Sequence, residues 1–580
     1  MKGQIVLAAI NAKYIHTNLA VRSIAACCRQ EGIETQLLET TINNRERQIL
    51  EELYRADGDI YVFSCYIWNI ELVCRLAADL RRIRPDAVLI GAGPQVSYHR
   101  RAFMQANPAF DYLLYGEGER STPALLRAIL AGEAVSRCKG VCYRRDGILA
   151  ITEPPAPMAM DDLPFAYADL EALDGRILYY ESMRGCPFAC AYCLSSLDKG
   201  VRVRSIERVQ ADLDRFLERR VKQVKLVDRT FNAVKSHAMA VWEYLIRHDN
   251  SVTNFHFELS GELLDDDMLD LLQTARPGLF QFEIGVQSAN EETLRAIHRP
   301  FSFDRLAQAV ERLRQAGGIH LHLDLIAGLP HENFASLADS FNRVFALEPD
   351  QLQLGFLKVL PGSELETKAA EYGIVYSRTA PFEVLGTSWL DFGELCRLHG
   401  IADMVELYHN SGRFRHSMEY IRAHFDNPFA CFAALWEYYL EQGYNQRPLS
   451  KIGYYDLLKP FMECHGIPVT ERVQWLCKLD VVAVEKPRRL PQWVEVDASA
   501  EYYDAILELL GNDRAVRRYL PSYAGMEPKH IRRIAHVEIL PFSPKTGENT
   551  PTAAVFDYEA GTRAYLPVDR ESGKILAEAD

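Results

Sequence analysis

Short apolar segments alternate with helical patterns along the first part of this chain, and this alternation restricts the fold more than any other feature. Residues 1 to about 150 contain five such segments, at 4–10, 35–40, 59–66, 87–93 and 111–119. Helical patterns lie between them, for example over 18–30 and 70–84. Apolar strands that alternate with helices are typical of a parallel sheet with helices on both faces. We therefore predict an α/β domain over residues 1–150.

The same alternation returns after a proline-rich segment. Four prolines fall within residues 151–165, so we predict a stiff linker over 151–170 and a second domain over 171–370. This domain has six strand candidates, at 177–183, 223–229, 254–260, 279–286, 320–329 and 351–359. Six such units predict a partial barrel whose chemistry lies at the carboxyl ends of its strands. Residues 371–580 are predicted to form a mainly helical domain with a few terminal strands.

Composition excludes several classes of protein. The 580-residue chain has a formal net charge of -14, which makes binding to nucleic acid unfavourable. No apolar run reaches the roughly 18 residues of a membrane span, and the first residues resemble a strand rather than a signal peptide. Its 13 cysteines are scattered apart from one cluster, so we expect a reducing compartment, the cytoplasm.

That cluster is the run MRGCPFACAYC, which places Cys186, Cys190 and Cys193 directly after a predicted strand. Soft thiolates at this spacing suit either an iron–sulfur cluster or zinc. Structural zinc almost always takes four protein ligands, whereas the next cysteine here is Cys396. Three ligands fit a four-iron cluster that leaves one iron open to a small ligand.

With the aromatic Tyr192 before the last cysteine, the motif resembles that of the radical S-adenosylmethionine (SAM) family. The resemblance implies a partial (β/α)6 TIM-type barrel, a [4Fe-4S] cluster on the three cysteines and bound SAM. It also implies that an electron from the cluster cleaves SAM to a 5′-deoxyadenosyl radical. The segment LVDRTFN departs from the Gly-Gly-Glu form common in the superfamily. The implied cofactor-binding residues at strand ends are Tyr192, Asp228, Asn232, Glu258, Glu283, Gln287, Ser288 and Asp324.

Four loops of the first domain also predict a ligand site. For the strand order 2-1-3-4-5, these loops lie at or beside the point where strand order reverses, which is where open sheets bind ligands. None has the dinucleotide fingerprint G-x-G-x-x-G, so ordinary tight turns are the alternative. The predicted binding residues are Tyr14, His16, Thr17, Asn18, Ser64, Trp68, Gly91, Gly93, Pro94, Gln95, Gly116 and Glu117.

The turns GAGPQ and YGEGE, followed by the cysteine motif, resemble cobalamin-binding radical SAM proteins, within a bacterial subgroup of unassigned substrate. The resemblance covers residues 1 to about 362 and implies a Rossmann-like (flavodoxin-like) cobalamin-binding domain. The Asp-x-His-x-x-Gly motif of other cobalamin proteins is absent from the sequence. Cobalamin is therefore expected to bind without that motif's histidine.

The resemblance predicts a methyltransferase that acts on an unactivated carbon of an unknown substrate and takes electrons from flavodoxin or ferredoxin. Two alternatives stay open at this point. One is a cobalamin-dependent rearrangement or cyclisation without methyl transfer, and the other is a cofactor-binding sensor or scaffold. Methylthiolation of tRNA is disfavoured, because the N-terminal cysteines lack cluster spacing and the chain is acidic.

Overall fold

The computed structural model describes residues 3–145, 147–198, 200–299, 301–447, 449–498 and 500–577. It divides into two compact units, and the boundary between them along the chain falls between Leu395 and Cys396. The first and second predicted domains both lie in the first unit, and their boundaries stay predictions.

A seven-stranded sheet opens the first unit, in the order β2-β1-β3-β4-β5-β6-β7. Its strands are β1 (Ile5–Asn11), β2 (Gln36–Thr41), β3 (Ile60–Ser64), β4 (Val88–Ala92), β5 (Tyr112–Leu114), β6 (Val141–Arg145) and β7 (Ile148–Ile151). The first five pair in parallel, which confirms the predicted order and the Rossmann-like α/β fold. The antiparallel strands β6 and β7 extend this sheet and were not predicted.

Helices cover both faces of this sheet. They are α1 (Leu19–Gln30), α2 (Glu46–Arg55), α3 (Ile70–Ile83), α4 (Pro94–Ser97), α5 (Arg100–Ala106) and α6 (Gly118–Ala131). Every residue of β1 is buried, because its alternate side chains enter two separate apolar cores. Val6 belongs to one core and Leu7 to the other. This two-sided burial explains why the strands have continuous apolar sequences.

The rest of the first unit is built around a second sheet. Its region contains β8 (Leu178–Tyr180), β9 (Met183–Cys186), β10 (Gly200–Val203), β11 (Gln223–Leu226), β12 (Asn254–Leu259), β13 (Phe280–Gln287), β14 (His320–Ala327) and β15 (Gln351–Phe356). Six of these strands form an all-parallel sheet in the order β15-β14-β13-β12-β11-β8. The predicted partial barrel of six strands is therefore confirmed. Along β13 and β14, buried apolar residues alternate with less buried polar ones.

Helices follow the barrel strands as the pattern predicts. They are α7 (Ile206–Glu218), α8 (Lys235–Arg247), α9 (Asp266–Leu272), α10 (Glu291–Ala296), α11 (Phe303–Ala316), α12 (Phe334–Phe345) and α13 (Glu364–Lys368). The two remaining strands, β9 and β10, pair antiparallel as a separate hairpin. A short pair, β16 (Val375–Tyr376) and β17 (Val384–Gly386), then leads to α14 (Phe392–Val405).

The second unit is mainly helical and ends in three antiparallel strands, as predicted. Its elements are α15 (Arg415–Arg422), α16 (Pro428–Glu441), α17 (Lys451–Asp456), α18 (Leu458–Cys464), α19 (Glu471–Val484), α20 (Tyr503–Gly511), α21 (Asp513–Tyr519), α22 (Pro528–Ile534), β18 (His536–Leu540), β19 (Thr552–Asp557) and β20 (Thr562–Pro567). Its core packs β19 against α20 through residues such as Val555 and Leu510. Within the described ranges, no helix has the length and hydropathy to cross a membrane.

Candidate cofactor sites

The three clustered cysteines lie on the β9–β10 hairpin. Cys186 is the last residue of β9 and pairs with Gly200, while Cys190 and Cys193 lie in the connecting loop. The buried Cys190 Sγ accepts a hydrogen bond from Arg299 Nη1 at 3.6 Å. Burial raises the pKa of the Cys190 thiol, and the Arg299 guanidinium opposes this shift.

A glycine makes this hairpin possible. Gly185 precedes the first cysteine and has a φ of +97°, which side chains rarely adopt. A Cβ atom there would lie 2.0 Å from the carbonyl oxygen of Gly200 on the partner strand. The close approach of β10 therefore depends on glycine at position 185.

Three thiols on one loop are a suitable donor set for an iron–sulfur cluster, because soft thiolates are its usual ligands. Among the described residues, no three Cys, His, Asp or Glu side chains are already arranged to hold a metal ion. The hairpin thus brings the cysteines onto one short segment, and their role as cluster ligands stays a prediction.

Asp228 and Asn232 follow β11, and both make their hydrogen bonds within the chain. Asp228 is fully buried and accepts hydrogen bonds from the backbone N–H groups of Ser182 and Met183 and from Ser182 Oγ. Burial raises the pKa of this carboxyl well above its usual value. Asn232 exchanges two hydrogen bonds with the backbone of Ser260. The two side chains fix the start of the hairpin and the loop after β12, and their predicted contact with SAM stays a prediction.

Ionisable side chains line the interior of the barrel. Glu258, Glu283 and Asp324 come from three neighbouring strands. Glu283 Oε2 lies 3.2 Å from His256 Nε2, and Asp324 Oδ1 lies 3.1 Å from His322 Nε2. Burial raises the pKa of Glu258 to about 7, although Arg229 opposes the shift. The interior therefore offers carboxylates and imidazoles to a polar ligand.

The pKa values of the paired groups follow from these contacts. The nearby His256 holds the pKa of Glu283 below its ordinary value despite burial. Burial raises the pKa of Asp324, although His322 opposes this shift. Asp324 in turn raises the pKa of His322, although burial opposes that shift. Lys225 contributes a positive charge to the same interior.

Gln287 has an orphaned polar atom at the end of β13. Gln287 has a φ of +71°, and its buried Oε1 has no hydrogen-bond partner among the residues that the structure describes. A buried acceptor without a partner is costly, so this oxygen fits contact with a polar ligand such as SAM. The next residue differs, because the hydroxyl of buried Ser288 donates to Glu332 Oε1 at 2.7 Å. Tyr192 in the cysteine loop is half-buried, and burial raises the pKa of its hydroxyl.

The loop after β1 joins the first sheet to the barrel. Ile177 N, just before β8, donates to the carbonyl oxygen of Ile15 at 2.7 Å, and Thr17 Oγ1 donates to the carbonyl oxygen of Ile177 at 3.0 Å. His16 Nδ1 lies 2.5 Å from the hydroxyl of Tyr179 on β8. Burial, together with Lys225, lowers the pKa of His16.

The other residues predicted in this loop divide into buried and exposed ones. Asn18 caps α1 by accepting from Val21 N, and its Nδ2 lies 3.5 Å from Ser64 Oγ. Tyr14 is 72% exposed, with the guanidinium of Arg176 above its ring. Tyr14 is therefore available to a ligand, whereas Asn18 has a structural contact.

A stacked pair of rings follows β3. Trp68 is 41% exposed and stacks on Tyr66 with ring centroids 4.4 Å apart. Its indole N–H donates to the carbonyl oxygen of Ile10, which fixes the ring. The pair forms a flat, half-exposed surface suited to a large planar ligand.

The glycines of the other two predicted loops pack against the chain itself. A Cβ atom on Gly91 would lie 3.0 Å from Leu113, and one on Gly116 would lie 3.1 Å from Pro155. At Gly93, which has a φ of +125°, it would lie 2.7 Å from the carbonyl oxygen of Cys65. These glycines permit close packing of the protein, and their predicted contact with cobalamin stays a prediction.

Pro94, Gln95 and Glu117 complete the predicted set. Pro94 starts α4, and the backbone N–H of buried Gln95 donates to the carbonyl oxygen of Cys65. Glu117 accepts hydrogen bonds from Arg202 and from the backbone N–H of Met158. Burial opposes its ionisation, but these donors and Arg184 hold its pKa below the ordinary value. Glu117 is therefore engaged by residues outside the first sheet.

Several site residues were not predicted. Arg299 contacts Cys190, and His256 and His322 enter the barrel interior. The segments NFHFEL and HLHLDL show period-two alternation of polar and apolar residues, which could have identified the two histidines. Arg299 has no such local signal, because only tertiary structure brings it to the cysteines.

Family models match three parts of the chain. A B12 binding domain matches residues 5–126, and the radical SAM superfamily matches residues 180–344. A family described as a protein of unknown function (DUF4080) matches residues 370–556. The first match contains β1 to β5 of the first sheet, and the second runs from the end of β8 through β14.

Two curated relatives are similar over much of the chain. The 2-(S-pantetheinyl)-carbapenam-3-carboxylate methyltransferase of Streptantibioticus cattleyicolor is 24% identical over 69% of this chain and 63% of its own. The cobalamin-dependent radical SAM methyltransferase TokK of Streptomyces tokunonensis is 27% identical over 56% of this chain and 51% of its own. The chain thus spans between half and two thirds of the length of these relatives.

Solved structures show the same fold. The cobalamin-dependent S-adenosylmethionine radical enzyme OxsB, with aqua-cobalamin bound, superposes with a TM-score of 0.59 at 14% identity. The alignment covers 83% of this chain and 80% of that chain. At this identity the likeness supports the architecture of the two sheets.

Proposed function

Because the chain belongs to the radical SAM proteins that carry a B12-binding domain, we propose that it is a cobalamin-dependent radical SAM methyltransferase acting on an unactivated carbon. One observation carries the proposal. The loop after β1, at the carboxyl edge of the first sheet, pairs with the backbone entering β8 of the barrel. Ligands of open α/β sheets bind at this edge, so cobalamin would lie beside the barrel.

The residues divide between the two cofactors. Cys186, Cys190 and Cys193 would hold the [4Fe-4S] cluster, and Gln287 would donate or accept hydrogen bonds toward SAM. The exposed rings of Tyr14 and Trp68 would contact the corrin. When bound, the cluster supplies the electron that cleaves SAM, and the cobalamin supplies the methyl group.

The chain's own side chains would hold and orient these groups. The guanidinium of Arg299 lies against Cys190, where it favours the thiolate form that ligates iron. The hydrogen bonds of Asp228 to Ser182 and Met183 orient the start of the cysteine hairpin. The remaining predicted contacts are Tyr192, Asn232, Glu258, Glu283, Ser288 and Asp324 for SAM, and His16, Thr17, Asn18, Ser64, Gly91, Gly93, Pro94, Gln95, Gly116 and Glu117 for cobalamin.

The organisation of the chain is proposed on the same basis. Residues 1–150 would bind cobalamin, 151–170 would form a linker, 171–370 would form the radical SAM core, and 371–580 would form a C-terminal helix-rich domain to which no role is assigned. Radical SAM enzymes need a reductant, and we place flavodoxin or ferredoxin in that role. All 13 cysteines are free thiols, which favours the cytoplasm.

The test is anaerobic reconstitution with cobalamin, SAM carrying a labelled methyl group, and reductant. Methyl transfer predicts labelled methylcobalamin together with S-adenosylhomocysteine, and 5′-deoxyadenosine as the second product of SAM. Cys190→Ala should abolish 5′-deoxyadenosine, whereas the exposed Cys464→Ala is the matched control and should retain it. Formation of 5′-deoxyadenosine with no labelled corrinoid would favour a rearrangement or cyclisation. Absence of bound cobalamin would overturn the proposal.

A further inference from the structure

The loop after β5 contacts the cysteine hairpin through its two acidic residues. Arg184 on β9 donates to Glu119 Oε1 at 2.6 Å, and its Nη1 lies 3.5 Å from Glu117 Oε1. Arg202 on β10 donates to Glu117 and to the carbonyl oxygen of Met158. The YGEGE segment was assigned above to cobalamin. Its two carboxylates nevertheless contact arginines of the cysteine hairpin, in the other predicted domain.

The two arginines of the hairpin face each other and are bridged by a carboxylate from the first sheet's side of the contact. Arg184 and Arg202 are register partners on β9 and β10, two residues from the pair Cys186–Gly200. Like charges directly opposite each other destabilise a strand pair. Glu181 accepts from Arg184 Nε at 2.9 Å, and Asp198, which is 52% exposed, accepts from Arg202 at 3.3 Å, so each contacts one of the two arginines. Glu117 lies against both, so the first domain supplies the carboxylate that bridges them.

These contacts are partly buried, and their paired hydrogen bonds have a defined geometry. The side chains of Arg184, Glu117 and Glu119 are 17%, 17% and 10% exposed. Arg184 donates through two nitrogens to Glu181 and through two to Glu119. Paired donors of this kind fix orientation as well as distance. A partly buried network is also screened less by salt than a surface pair.

We infer that Glu117, Glu119, Glu181, Arg184 and Arg202 form an ionic joint that positions the cobalamin-binding domain against the cysteine hairpin. The inference rests on the proposed function, since it assigns a cofactor to each side of the joint. Glu119, Glu181, Arg184 and Arg202 act here as positioning residues, because they set the separation of the two cofactors, and Glu117 combines this role with its proposed contact to cobalamin.

The experiment compares cofactor spacing in Glu119→Gln and Arg184→Met with the wild type. In protein loaded with cob(II)alamin and a reduced cluster, paramagnetic resonance reports the enhanced relaxation of the cobalt signal by the cluster. Both variants are expected to keep wild-type iron and cobalt contents and to lose this enhancement severalfold. Arg184→Lys should retain more of it than Arg184→Met, because the charge is kept. Arg81→Met is the matched control, because the Arg81–Asp111 ion pair lies within the first domain.

The outcomes separate the joint from the proposed function. Wild-type relaxation in Glu119→Gln and Arg184→Met, with full cofactor contents, would overturn the inference. If the wild type binds no cobalamin, the proposed function fails, and hydrogen–deuterium exchange of the apo-protein then tests the joint. The inference predicts that residues 115–119 and 183–203 lose protection together in both variants and stay protected in Arg81→Met. Independent exchange of the two segments would overturn it. If Arg184→Met loses iron, the Glu119→Gln variant tests the inference, because Glu119 lies outside the hairpin.

Discussion

At the scale of single residues, burial rather than charge partners controls the most perturbed carboxyl groups. Glu332 is fully buried near the carboxyl end of β14 and accepts hydrogen bonds from the hydroxyls of Ser288 and Ser340 on Oε1. Its Oε2 is buried and has no hydrogen-bond partner in the described ranges. Burial raises the pKa of Glu332 to about 7, because the hydroxyl donors only partly replace water.

This shift predicts how stability depends on pH. Between the ordinary value of 4.5 and about 7, folded Glu332 keeps a proton that the unfolded chain has lost. The free energy of unfolding therefore falls as the pH rises through this window and levels off above it. In Glu332→Gln, the free energy of unfolding should fall by on the order of 3 kcal/mol less than in the wild type over this window. Denaturant unfolding from pH 4.5 to 8 measures the difference.

The matched control is Glu51→Gln, whose parent side chain is 52% exposed, and it should leave the pH dependence near the wild-type one. An unchanged slope in Glu332→Gln would mean that Glu332 ionises normally in the folded protein.

At the scale of elements, the sequence predicts the main strands and fails at the cysteine hairpin. The apolar segment 4–10 becomes β1 because continuous burial leaves a continuous signature. Strands β9 and β10 have only four residues each and contain glycines, so they are too short for a periodic pattern to identify them. Cys186 is predictable from sequence because it belongs to a local motif. Arg299 is not, because only the tertiary structure brings it to Cys190.

The hairpin yields a paired test on two glycines with similar backbone angles. Gly185 and Gly200 have φ values of +97° and +98°, so both alanine variants bear backbone strain. Only at Gly185 would the added Cβ meet the backbone of the partner strand, since nothing lies within 4 Å at Gly200. Gly185→Ala is expected to lose most of its iron after anaerobic reconstitution, while Gly200→Ala retains most of it. Equal iron contents in the two variants would contradict the role given to strand pairing.

At the scale of the whole molecule, ionic contacts hold the segments of the first unit together. Arg22 on α1 is 4% exposed and binds Glu39 at 2.6 Å, and it also reaches Asp169 in the predicted linker at 3.0 Å. Removing one partner of a buried pair leaves the other charge uncompensated. The large sequence separation of these partners explains why no sequence pattern predicted the contact.

Arg22→Met is therefore expected to lower the free energy of unfolding of the first unit by about 3–5 kcal/mol. Denaturant unfolding curves of the variant and the wild type measure this difference. The control Arg55→Met removes an exposed partner of Glu51 within α2 and should change stability by less than about 1 kcal/mol. Similar shifts in the two variants would show that the buried pair contributes no more than a surface pair.

The most direct test of the central claim is elemental and corrinoid analysis of protein purified without oxygen and reconstituted with iron, sulfide and cobalamin. Two cofactors in one unit predict about four iron atoms, about four sulfides and about one cobalt per chain. Cys186→Ala is expected to lose iron and sulfide together and to retain cobalt. Protein that carries zinc, with neither sulfide nor cobalt, would contradict the account.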